Sequence, residues 1–151
     1  MRILLTLTLL LSGCASIHDG RVTSPPPGCV EYRESGGYCS LQNALEKVHA
    51  NFRYQHDMRT YGKPEHWAIP KDGVGDCEDF ALMMREELNS RGIYGTRLIY
   101  ARVDGGGHVA LELDGVIMDV GMSRLLHVAI VDWVFISAGD ESGVWREIEV
   151  R

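Results

Sequence analysis

The chain has 151 residues, 45% of them apolar and 24% charged, and 15 basic against 21 acidic side chains give it a net charge of −6. A chain of this kind can bury one hydrophobic core and is neither a disordered polymer nor a multi-span membrane protein. Its acidic balance lacks the basic footprint that non-specific nucleic-acid binding needs, and it carries no Gly-rich phosphate loop, like-charge run or internal repeat.

The first residues read as an address. Arg2 supplies one positive charge, and residues 3–11 are Ile, Leu and Thr alone. Nine residues make about 14 Å of helix, less than half of a hydrocarbon core about 30 Å thick, so the run fits a secretory signal and not a membrane span. It ends in Leu11-Ser12-Gly13-Cys14-Ala15, which resembles a bacterial lipobox. The resemblance implies cleavage before Cys14, a lipid on its sulfur, and sorting to the periplasmic face of the outer membrane, since Ala15 and not Asp follows the cysteine. The expected organisation is a lipoprotein signal over 1–13, a lipidated Cys14 with a Pro-rich tether over 14–28, and one domain over 29–151. Pro25-Pro26-Pro27 favours extended polyproline backbone in the tether.

An exported chain can keep disulfides. Cys29 and Cys39 are separated by a short loop with Gly36-Gly37 inside it, so a Cys29–Cys39 bridge is expected. Cys77 is then left without a partner, which makes it either buried and inert or kept reduced for chemistry.

Ser40 is read as the N-cap of a first helix, because Leu41, Ala44, Leu45, Val48 and Phe52 recur on one helical face. Residues 54–70 form an irregular aromatic stretch and 71–75 a loop. A second helix starts at Asp76 and runs to about Ser90, with Phe80, Ala81, Met84 and Leu88 on its apolar face and Gly92 as its stop. Asp76 would cap it, with Asp79 completing a box-like pair. Strands are expected over 96–103, 108–113, 116–120, 131–137 and 144–150, with a turn at 104–107. Helices followed by an antiparallel run give an α+β domain.

Asp114-Gly115 between two apolar runs is a strong signal for a two-residue type I′ hairpin. Leu113 then opposes Val116. Val109, Leu111, Leu113, Val116, Met118 and Val120 fall on one face, which is the core. His108, Ala110, Glu112, Ile117, Asp119 and Gly121 fall on the other. Asp119 lies opposite Ala110 and is a diagonal neighbour of His108, close enough for a carboxylate to hold an imidazole.

This register suggests chemistry. Cys77 sits in the first turn of the second helix, where backbone N–H groups and the positive dipole end favour a thiolate. His108 can serve as its base and Asp119 can orient the base, so Cys77, His108 and Asp119 form a candidate triad for acyl transfer. Asp76, Glu78 and Asp79 argue against simple thiolate activation, because three carboxylates raise a neighbouring thiol's pKa. They would instead suit a hard cation such as calcium.

His66-Trp67-Ala68-Ile69-Pro70, Gly75-Asp76-Cys77-Glu78-Asp79-Phe80-Ala81-Leu82, Gly107-His108-Val109-Ala110-Leu111 and Ile117-Met118-Asp119 together resemble the bacterial transglutaminase-like cysteine peptidases of the LapG-like kind. The resemblance implies a papain-like fold in which the nucleophile helix packs on an antiparallel sheet. It also implies Cys77 as nucleophile, His108 as base, Asp119 as orienter, and calcium near the cysteine on Asp76 and Glu78. No organic cofactor is implied, and the implied partners are a protein or peptide substrate and a membrane reached through the lipid anchor. Val120 departs from the Asn common after the Asp, and the chain is short for a substrate-recognition insertion. Two alternatives stay open: a non-catalytic protein-binding lipoprotein of the same fold, or acyl transfer to an amine.

Overall fold

The computed structural model describes residues 37–148. The signal, Cys14, the tether and Cys29 lie outside the described residues, and so does the side chain of Cys39, so the disulfide falls outside them too. No helix among the described residues is long and apolar enough to cross a membrane.

Two helices and a six-stranded sheet make the core. Helix α1 spans Gly37–Ala50 and α3 spans Cys77–Ser90. Between them lie two-residue strands β1 (Arg53–Tyr54) and β2 (Val74–Gly75), which pair in parallel, and a single-turn helix α2 (Asp57–Thr60). The sheet comprises β3 (Arg97–Val103), β4 (Gly106–Leu113), β5 (Val116–Met118), β6 (Leu126–His127), β7 (Val134–Gly139) and β8 (Trp145–Glu147). Its strand order is β6-β5-β4-β3-β7-β8, antiparallel throughout.

The expected hairpin register holds. Leu113 pairs with Val116, Glu112 with Ile117 and Leu111 with Met118. Asp114 and Gly115 both take positive φ, 48° and 84°, as a type I′ turn requires. Val109, Leu111, Leu113, Val116 and Met118 join Leu41, Leu45, Phe80, Met84 and Leu88 in one cluster, with Val120 packed against it. Burying each such side chain contributes roughly 1.5–3 kcal/mol. The opposite face is closed as well: Ala110, Ile117 and Asp119 are buried there.

Several boundaries differ from the sequence reading: the strands expected over 131–137 and 144–150 are β7 at Val134–Gly139 and β8 at Trp145–Glu147. Helix α1 begins at Gly37, so Ser40 is inside it and not its cap; the Ser40 carbonyl accepts a bond from Arg91 Nη1 instead (3.3 Å). The first hairpin turn is only Asp104-Gly105, because Val103 pairs with Gly106. Strand β5 stops at Met118, before Asp119. Strand β6 carried too little apolar pattern to be seen. Helix α3 ends as expected: Gly92 takes φ 77°, its N–H donates to Asn89 C=O, and Ile93 N–H donates to Leu88 C=O, which is a Schellman closure.

Candidate active site

Helix α3 starts where β2 ends, so Cys77 is delivered to the sheet by the turn from Gly75 through Asp76. Gly75 is required there. A Cβ on it would run into the Asp79 side chain. Asp76 has the extended backbone of an N-cap, but its side chain makes no cap bond. Its Oδ2 accepts instead from Asp57 N–H (3.3 Å). The Asp76 backbone also holds down the pKa of the Asp79 carboxyl, against a rise set first by burial.

Packing of α3 on β4 brings Cys77 beside Val109, whose backbone N–H opposes the rise of the thiol's pKa. His108 is the preceding residue on β4. Its Nε2–H donates to Asp119 Oδ2 at 2.5 Å. That bond fixes the tautomer, because a carboxylate only accepts, and it leaves Nδ1 as the free acceptor. Asp119 is itself held. Its Oδ1 accepts from Gly121 N–H (2.8 Å), and its carbonyl accepts from Met122 N–H (3.1 Å). His49 of α1, which no sequence spacing singled out, donates through Nε2 to the carbonyls of Met122 (2.9 Å) and Asp119 (3.2 Å). Trp133 stands edge-on to the His108 ring, with centroids 5.1 Å apart.

The surroundings of the thiol favour its protonated form. Its S–H donates to Glu78 Oε2 (3.3 Å). Burial pushes its pKa up to about 12; the Val109 N–H opposes this, and the charges of Glu78 and Asp76 reinforce it. Burial also pushes Glu78 up, to about 8, with the neighbouring Asp76 carboxylate adding to the rise. Tyr54 on β1 faces the same charges. Burial raises its phenol pKa first, followed by Cys77, Asp76, Glu78 and Asp119.

Beside the thiol the structure assembles more acids than the sequence reading placed there. Asp57 with Asp76 and Asp79, Asp57 with Glu65 and Glu78, and Asp76 with Glu78 and the Cys77 sulfur form overlapping sets of three whose ligand atoms lie within 4.8 Å of one another. Their oxygens sort them. Asp79 is spent on structure: Oδ1 accepts from Ala68 N–H (2.9 Å) and Oδ2 from Tyr61 O–H (3.5 Å), which ties down the loop around Trp67. Asp57 accepts from His66 N–H through Oδ2, Asp76 from Asp57 N–H, and Glu78 from the thiol. Each of these three keeps one buried oxygen with no partner: Asp57 Oδ1, Asp76 Oδ1 and Glu78 Oε1. Unpaired buried carboxylate oxygens are costly, and an all-oxygen acidic set is what a hard divalent cation takes. Asp76 and Glu78 thus fit the expected metal role, and Asp57 joins them.

The model of the bacterial transglutaminase-like cysteine proteinases, BTLCP, matches residues 28–151. The chain belongs to this family. Two solved structures of Legionella pneumophila LapG share the fold. One is 24% identical with a TM-score of 0.57, covering 68% of this chain and 63% of the LapG chain. The other, described as EGTA-treated, is 25% identical with a TM-score of 0.54, covering 71% and 72%. No curated protein sequence matches the chain. The BTLCP assignment agrees with the α+β core seen here, in which a cysteine-bearing helix end meets an antiparallel sheet.

Of the sequence-derived site residues, His108 and Asp119 are bonded to each other, and Cys77, Asp76 and Glu78 lie together at the start of α3. Trp67 is half-exposed and packs edge-on against Trp145 (5.7 Å) rather than in the core. The residues sequence reasoning missed are His49, Asp57, Tyr54 and Trp133. None of the four sits in a motif or spacing that marks it in the sequence.

Proposed function

We propose that the chain is a cysteine peptidase acting on an envelope or periplasmic protein, with Cys77 as nucleophile, His108 as base and Asp119 as orienter. The observation that carries this reading is the His108–Asp119 bond at 2.5 Å, with His108 on β4 beside Val109, whose backbone N–H acts on the Cys77 thiol. His108 Nδ1 takes the thiol proton, and the sulfur attacks the scissile carbonyl. The Cys77 N–H, free at the first turn of α3, is placed to donate to the oxyanion. His108 then protonates the leaving nitrogen. Water resolves the thioester, with His108 again as base.

Asp57, Asp76 and Glu78 would hold a calcium ion, and family membership together with the EGTA-treated LapG supports that choice of metal. When bound, the ion supplies positive charge that neutralises the carboxylates beside the thiol. The lipobox-like segment around Cys14 supports a location in the bacterial envelope, lipid-anchored at the periplasmic face of the outer membrane.

Thiol alkylation tests the reading. Limiting iodoacetamide should label Cys77 selectively near neutral pH in calcium and slowly in chelator, and His108→Ala should abolish the calcium-dependent rate. A Cys77 that behaves as an ordinary buried thiol in both conditions, indifferent to His108→Ala, would show that the triad is not operating.

A further inference from the structure

The outer face of the sheet carries a feature the triad does not use, an apolar cavity of about 470 Å3. Its position follows from register. Ala101 pairs with His108 and Ile99 with Ala110, so Ile99, Ala101, His108 and Ala110 share one face of the sheet. Phe135 pairs with Ala101 from the other side and joins that face. The chain after β6 passes over it, and Val131, Trp133, Ile99, Phe135 and Ile148 line the space beneath. Arg97 is the charged residue of the lining, and its Nε is already engaged by buried Glu112 at 2.7 Å. An ionic ligand would therefore meet no unpaired acid there, while an apolar group would meet aromatic and aliphatic walls. The volume is in the range of small-molecule and side-chain pockets, roughly 300–1,000 Å3.

Trp133 connects this cavity to the chemistry. It lines the cavity, touches Phe135 (6.2 Å) and stands edge-on to His108 (5.1 Å). In the acylation step the S–C bond forms and the thiol proton passes to His108. The C–N bond then breaks with its electrons kept on nitrogen, and that nitrogen takes the proton from His108. The leaving nitrogen must therefore sit at His108, and the substrate residues that follow it must pass over the His108 neighbourhood. We propose that the cavity is the subsite for an apolar substrate side chain within the first two residues on the leaving-group side of the scissile bond. The proposal rests on the peptidase reading.

The test is cleavage of an amino-terminally blocked peptide library, derived from a bacterial proteome, by the full-length chain in calcium. The new amino termini are read by mass spectrometry, and Cys77 alkylation is measured in parallel. The expected result is enrichment of Leu, Ile, Val, Met or Phe at the first or second position after the cut, by about tenfold or more over charged residues. Val131→Glu should erase that preference while iodoacetamide, too small to need the cavity, still labels Cys77 at the wild-type rate. Val131→Thr, nearly isosteric, should weaken it in the same direction and guards against a Val131→Glu chain that misfolds. Cleavage without an apolar preference on that side, or with a preference untouched by both variants, overturns the subsite alone. A library left intact by a wild-type chain overturns the peptidase reading and the subsite with it.

Discussion

Asp119 meets two demands with its two oxygens. Oδ1 accepts the Gly121 N–H, which bends the chain out of β5, and Oδ2 accepts the His108 Nε2–H. The bend explains why the strand stops at Met118: an Asx-type turn captures the next residues before they can pair with β4. It also explains why Asp is needed. In Asp119→Asn one oxygen becomes an NH2, and whichever partner meets it faces donor against donor. If His108 loses its acceptor, its tautomer is no longer fixed. If Gly121 loses its acceptor, the turn that aims the side chain loosens. We expect Asp119→Asn to lower peptide hydrolysis by about 10²–10⁴-fold, read as kcat/KM on any substrate found for the wild type. Hydrolysis within tenfold of the wild type would show that Asp119 is dispensable for orienting His108.

At the scale of elements, much of the hairpin was written locally. Asp114-Gly115 demands a type I′ turn, and alternation on both sides leaves only one register in which the apolar residues share a face. His108 and Asp119 could be paired from that alone. The acidic cluster could not. Asp57 reaches Asp76 because β1 and β2 pair in parallel, and these are two-residue strands with some twenty residues between them and no periodicity to mark them. His49 and Trp133 were invisible for a similar reason, since each acts through long-range packing. The start of α1 was misjudged because Ser40 is a good cap by type while the apolar pattern, beginning at Leu41, cannot report a turn that precedes it.

Two glycines separate conformational from steric cost. Gly92 and Gly115 both hold positive φ, 77° and 84°. A Cβ on Gly92 meets nothing within 4 Å, so Gly92→Ala should cost only the left-handed penalty, about 1 kcal/mol. A Cβ on Gly115 would meet the His127 ring at 2.7 Å, and His127 is held by accepting the Ala129 N–H (3.1 Å). Gly115→Ala should therefore cost more than Gly92→Ala, by a further 1 kcal/mol or so. Urea unfolding of the two variants measures the difference. Equal losses would mean that the β5–β6 edge yields freely around the turn.

For the molecule as a whole, the carboxylates beside Cys77 set how stability depends on pH. Glu78 is raised from 4.5 to about 8 by burial and by the neighbouring Asp76 carboxylate. Asp57 is raised by burial and the Asp76 charge, and Asp79 by burial, against the Ala68 N–H. A carboxyl whose pKa is higher folded than unfolded binds its proton more tightly in the native state. Its contribution is fully present below the unfolded value and is lost as pH rises through the folded one. Glu87 has the opposite sign, held down by Lys47 and Arg91 despite its burial, but its contribution changes only near and below its ordinary value of 4.5. Between pH 5 and 8 the Glu78 effect dominates, so the chelated protein should lose thermal stability as pH rises through this window. A cation bound by Asp57, Asp76 and Glu78 competes with those protons and binds the native state alone. Calcium should therefore raise the melting temperature little at pH 5 and substantially at pH 8, and Asp57→Asn should shrink the gain at pH 8. A melting temperature that climbs from pH 5 to 8 in chelator, or a calcium gain independent of pH, would mean that these three carboxylates are not where the proton and the metal compete.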